Sequence, residues 1–148
     1  MAMTGLRSFD QSLIKTKEWL KDLQRELNIQ DEEGAYAAFR SVSHALRDRI
    51  TIDEAADLAS QLPMLLVGVF YEGWKPSGKP VRIRTKAEFL DMIGRELLGR
   101  YDAEYTARAV FKVFEKRINK GEIDNIKDEL PGEIKNLWPE AVHMGKCP

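Results

Sequence analysis

A three-residue phrase used twice constrains this chain more than anything else in it: Gln61-Leu62-Pro63 returns 68 residues later as Glu129-Leu130-Pro131. Proline lacks the backbone N–H that would continue a helical ladder, so each copy marks the end of one helix, and its fixed φ suits the start of the next. Sliding the second copy back by 68 sets Val110 on Val42, Phe114 on Leu46, Ile118 on Ile50, Asn119 on Thr51, Glu122 on Glu54 and Trp138 on Phe70. Apolar stripe, capping residue and breaker coincide, which is far rarer by chance than a match of one motif alone. Nearer the front, Glu18-Trp19-Leu20 and Arg25-Glu26-Leu27 match Glu88-Phe89-Leu90 and Arg95-Glu96-Leu97 at an offset of 70. A loop can absorb the two-residue difference without moving a core position. The pattern predicts a first helical repeat over 8–71, a connecting loop over 72–84, a second repeat over 85–139 and a frayed tail over 140–148.

Local signals set the helices within each repeat. Phe9, Leu13, Leu20, Leu23 and Leu27, widened by Trp19, form the apolar face of a helix from about Ser8 to Leu27. Asp31 caps a second helix with the stripe Ala35, Phe39, Val42, Leu46 and Ile50, leaving Arg40, His44, Arg47 and Asp48 to point elsewhere. Thr51-Ile52-Asp53-Glu54 and Thr85-Lys86-Ala87-Glu88 have capping-box spacing, and Asn119-Lys120-Gly121-Glu122 repeats it with asparagine. Gly99 is placed to stop the fifth helix and Asp102 to cap the sixth. The segment Met64 to Phe70 is apolar all round, which favours central burial over a subunit interface. The expectation is an all-α protein of about eight helices, two similar four-helix units packed as one compact bundle-like domain.

At 148 residues the chain is long enough for a substantial core. Its 23 basic and 24 acidic side chains leave a net charge of −1, which argues against nucleic acid as a partner. The one cysteine, Cys147, allows no internal disulfide and fits a reducing compartment. No stretch is long and apolar enough for a membrane span, and residues 1–7 lack the apolar core of a signal peptide, so cytoplasmic location is the expectation.

The chain also resembles a known family. Trp19-Leu20, Ala45-Leu46-Arg47-Asp48-Arg49, Gln61-Leu62-Pro63-Met64, Tyr71-Glu72-Gly73-Trp74, Ser77-Gly78-Lys79-Pro80 and Glu129-Leu130-Pro131 carry a likeness to the bacterial domain-of-unknown-function family numbered 2267. The resemblance implies an all-helical bacterial protein with two related halves. It implies no activity, ligand or catalytic residue.

Few residues point to chemistry. Gly73 to Lys79 has the G-x-x-x-x-G-K spacing of a phosphate loop, but Pro80 replaces the magnesium-binding hydroxyl and no strand precedes it. The same segment carries Lys75, Lys79, Arg82, Arg84 and Lys86 with no acid among them and Trp74 at its edge. Alternation of Val81 and Ile83 with the two arginines sets the charges on one side, as in an anion or partner site, or in a solvated linker. Glu140 and His143 have E-x-x-H spacing but lie beyond Pro139, and with Cys147 they fall short of a metal site's ligand set. His44 is expected on the surface. The acids Asp53, Glu54, Asp57, Glu122, Asp124 and Asp128 suit positive helix N-termini.

These features favour a cofactor-free, metal-free, non-catalytic binding or assembly module that uses Trp74, Lys75, Lys79, Arg82, Arg84 and Lys86 toward a protein partner or a second copy. Two rivals stand beside it: an enzyme with a site assembled between the repeats from His44, Glu104 and Tyr105, and an oligomerising protein using residues 64–70.

Overall fold

A computed structural model describes residues 4–139. Among them are eight helices: α1 (Arg7–Leu27), α2 (Glu32–Arg49), α3 (Ile52–Ala59), α4 (Met64–Tyr71), α5 (Lys86–Leu97), α6 (Ala103–Arg117), α7 (Lys120–Asp128) and α8 (Gly132–Lys135). No strand occurs among the described residues, and none of these helices is long and apolar enough to cross a membrane.

Capping residues set most helix starts. The side chains of Asp31, Thr51, Thr85, Asp102 and Asn119 accept from amides of the first turns of α2, α3, α5, α6 and α7, satisfying donors that have no helical partner. Pro63 and Pro131 stand at the N-cap itself, one place before the position expected of them, with extended ψ of 150° and 154°. Leu98, in left-handed conformation at φ 56°, begins the stop of α5, and Gly99 at φ 74° continues it.

One core runs through the molecule. Trp19 of α1, Phe39 of α2 and Phe114 of α6 meet edge to face with ring centroids 6.0–6.3 Å apart, an arrangement that aligns positive ring edges with negative faces. Phe111 stacks on Trp138 at 4.0 Å, extending the cluster past α8. The joint leucines Leu62 and Leu130 are both buried, as are Leu66 and Ile134 on the helices they lead into.

Helix α2 is the central element, packed against α1, α4, α5 and α6. Small residues let its neighbours come close: Gly34, Ala35, Ala37, Ala38, Ser41, Ser43 and Ala45 are all buried. A Cβ at Gly34 would collide with the Tyr101 hydroxyl.

Burial departs from the sequence expectation in three places. His44 and Arg47, expected to point away from the core, are only 7% and 5% exposed, because α4 and its following turn cover that side of α2. Helix α4, expected at the centre, leaves Met64 54% and Leu65 45% exposed. Among the described residues it touches only α1 and α2 substantially, which leaves its outer face uncovered by them. Phe9, expected on the buried stripe of α1, is likewise exposed.

The capping boxes also divide. Thr85 and Glu88 form the complete reciprocal pair. At α3 and α7 the amide of the N-cap residue is taken from across the molecule instead. The Thr51 N–H donates to Glu129 Oε1 at 2.8 Å, and the Asn119 N–H donates to Gln61 Oε1 at 3.1 Å. Each short helix therefore ends beside the start of the other, and the two lie antiparallel. The first residue of each Leu-Pro phrase accepts from the amide of the opposite helix's N-cap residue.

Candidate functional site

The loop from Glu72 to Arg84 is held in place by the last turn of α2. Arg47 donates to the carbonyls of Phe70 (2.9 Å) and Glu72 (3.0 Å), fixing the loop's start. The Val81 amide donates to the Asp48 carbonyl at 2.8 Å, and Arg49 Nε donates to the Ile83 carbonyl at 2.8 Å, fixing its end. Residues Arg47-Asp48-Arg49 thus organise a segment that has no helical ladder of its own. These bonds satisfy backbone groups that a loop otherwise leaves to water.

Between these anchors the loop and Arg49 line a concavity of about 640 Å³, bounded by Arg49, Lys79, Pro80, Arg82 and Arg84. Ile83 packs against the core while Arg82 and Arg84 are exposed, which is the alternation expected of an extended segment. Among the described residues no carboxylate pairs with the side chains of Lys79, Arg82 or Arg84, although thirteen other lysine or arginine ion pairs form there. Burial, with the charge of Arg84 beside it, holds the Arg49 guanidinium below its usual range. Crowded cations of this kind set a positive potential over a concave surface.

The other residues expected at the patch lie apart from this charge. Trp74 stacks on Tyr71 at 5.1 Å, its Nε1 buried without an acceptor among the described residues. Lys86 pairs with Glu104 at 3.4 Å across to α6. Lys75 is exposed and does not line the concavity.

His44, Glu104 and Tyr105 do not converge. His44 Nε2 faces the Val69 carbonyl at 2.7 Å, and Nδ1 faces both oxygens of Glu96 at 3.0 and 2.9 Å. Arg40 pairs with the same Glu96 and with Glu72. Glu104 binds Arg108, and the Tyr105 hydroxyl donates to the carbonyls of Glu26 and Leu27. Both ring nitrogens of His44 are thus occupied by structural partners, and His44 ties α2 to α5 and to the last turn of α4.

The structure also assembles a group that spacing along the chain did not bring together. Glu54 and Asp57 of α3 and Glu122 of α7 place carboxylate oxygens within 4.8 Å of one another. Sliding the sequence by 68 residues sets Glu122 on Glu54, but nothing along the chain says that α3 and α7 touch. The tail segment with Glu140, His143 and Cys147 lies outside the described residues.

An all-helical fold with a cationic loop and no assembled nucleophile–base pair among the described residues defines a class, a helical domain with a charged surface. The chain belongs to the family described as uncharacterized conserved protein (DUF2267), whose model matches residues 16–137. No curated protein matches the chain.

Proposed function

We propose that this protein is a non-catalytic binding module whose loop, anchored on the end of α2, takes an acidic segment of a protein partner. The observation that carries the reading is the concavity lined by Arg49, Lys79, Arg82 and Arg84, where the last three lack any carboxylate partner among the described residues. The backbone beneath these cations is already anchored, so binding need not order the loop, and the ordering cost is confined to the long side chains. Opposite charge on the partner supplies steering and selectivity more than raw affinity. Of the six residues named from sequence, Lys79, Arg82 and Arg84 are retained for this role and Arg49 joins them. Trp74, Lys75 and Lys86 serve the loop's packing and edges.

The same reading treats the chain as two copies of one helical unit, residues 8–71 and 85–139. Its support is the crossed capping, in which Gln61 and Glu129, equivalent residues of the two Leu-Pro phrases, each accept from the N-cap amide of the opposite copy.

Calorimetric titration with a decaglutamate peptide tests the binding role. The parent protein is expected to bind, more weakly as salt rises, because exposed charges are screened over about 8–10 Å. Lys79→Glu, Arg82→Glu and Arg84→Glu together are expected to abolish binding with helical content unchanged. Equal affinity in parent and triple variant would refute the assignment.

A second reading has its own observation. Met64, Leu65, Phe9 and Ile14 are large apolar side chains left 45–54% exposed on α1 and α4, and such a face suits self-association. A sedimentation measurement giving a monomer at micromolar concentration would dismiss it.

A further inference from the structure

Glu54 and Glu122 stand at the third position of α3 and α7, from which a capping-box glutamate turns back to the N-cap amide. Here those amides are already taken by Glu129 and Gln61. Both carboxylates are instead directed into the α3–α7 interface, where each residue is only 9% exposed. Each keeps a buried Oε2 that receives no hydrogen bond from an N–H or hydroxyl donor among the described residues, and the two carboxyl groups face each other within hydrogen-bonding reach. Asp57, one turn on from Glu54 and exposed to solvent, completes a set of three carboxylates whose oxygens all lie within 4.8 Å. Glu129 adds further negative charge nearby. Arg49, which feels the charge of Glu129, donates to the Ile83 carbonyl, and Lys120 of α7 pairs with Asp124. Burying carboxylate oxygens against one another is among the more destabilising arrangements a fold can hold unless something positive sits between them.

We propose that Glu54, Asp57 and Glu122 form a site for a hard divalent cation, Ca²⁺ or Mg²⁺, which bridges α3 and α7. An all-oxygen donor set selects such ions over zinc, which prefers nitrogen and sulfur. Oxygens on opposite sides of Ca²⁺ are about 4.6–5.2 Å apart, and around Mg²⁺ about 4.0–4.2 Å. Three oxygens all within 4.8 Å of one another are close enough to share one such ion, with side-chain adjustment setting the final ligand distances. The exposed side of Asp57 leaves the remaining positions to water, as both ions tolerate. A proton is the competitor. Burial, then the facing Glu54 carboxyl and the charges of Asp57 and Glu129, push Glu122 up to about 8. Below that value the ion displaces a proton to bind, and affinity falls by roughly tenfold per pH unit.

The test is calorimetric titration of the chelator-treated full chain with CaCl₂ and separately with MgCl₂, at about pH 9 and about pH 6. One ion per chain is expected at the higher pH, with affinity at least about tenfold weaker and proton release at the lower. Whichever salt binds more tightly identifies the ion. Asp57→Asn alters an exposed side chain and is expected to keep the fold while weakening binding at least about tenfold. Glu54→Gln with Glu122→Gln is expected to abolish binding. Asp124→Asn, on the exposed face of α7, leaves it unchanged. No binding of either ion up to about 10 mM at the higher pH would overturn the proposal. So would equal binding by the parent and Asp57→Asn. Should the double variant fail to fold, Asp57→Asn alone decides.

Discussion

Helices α2 and α4 lie against each other and distribute polar and apolar surface in opposite ways. Helix α2 carries His44 and Arg47 at 7% and 5% exposure, while α4 holds Met64 and Leu65 at 54% and 45%. Hydrophobicity alone would reverse the two. What decides the matter is how many elements surround each helix. Helix α2 is flanked by α1, α4, α5 and α6, whereas α4 has only α1 and α2 as substantial neighbours. The polar groups buried on α2 are there because α4 ends against it. The carbonyls of Phe70 and Glu72 take their donors from Arg47, and the Val69 carbonyl, which already accepts from the Glu72 amide, also faces His44. A buried cation that ends a helix and anchors a loop does more for position than for net stability.

The largest effect that would sharpen this contrast is on the apolar side of α2. Phe39, fully buried between Trp19 and Phe114, is expected to lose about 3–5 kcal/mol on substitution by alanine, read from denaturant unfolding. Next, Arg47→Met keeps most of the volume but strands the Phe70 and Glu72 carbonyls and the Asp48 carboxylate. A loss of about 2–4 kcal/mol is expected, with faster hydrogen exchange at Trp74 and Val81. An unchanged exchange rate would mean that α2 does not hold the loop.

A pH effect comes from α3 and α7. Glu122 has its folded pKa raised from 4.5 to about 8, by burial and then by Glu54. The folded state holds that proton more tightly, so the contribution is fully present below the unfolded value and is lost as pH rises through about 8. In chelator, melting temperature is expected to fall between about pH 5 and about pH 9, and Glu122→Gln to flatten the curve. A parent curve already flat would show that the carboxyls do not face each other. The smallest effect belongs to the outer face of α4: Leu65→Ser is expected to change stability by no more than about 0.5 kcal/mol. A loss of several kcal/mol would mean that α4 is buried after all, in a second copy.

Helix ends were legible because their causes are local. Asp31, Thr85 and Asp102 cap the amides of their own first turns, and proline at 63 and 131 ends a ladder whatever surrounds it. The joint leucines, Phe39 and Phe114 were legible from periodicity. The fate of Glu54 and Glu122 was not, since a capping box reads only its own four residues and the competing acceptors come from Glu129 and Gln61. Burial of His44 and Arg47 was hidden for a similar reason, although one signal was available. The run of glycine, alanine and serine through residues 34–45 marks a helix that neighbours approach from several sides. The basic loop was visible as charge, but its organiser, Arg47-Asp48-Arg49, lies 23 or more residues earlier and shows itself only through hydrogen bonds.

The central claim is that the end of α2 holds Lys79, Arg82 and Arg84 as a preformed cationic surface for an acidic segment. Titration of ¹⁵N-labelled protein with decaglutamate, followed by amide chemical shifts, tests it most directly. The account predicts shifts concentrated at Arg49 and residues 79–84, with α1 and α4 unmoved. Shifts spread over α1 and α4, or none at all, would contradict it.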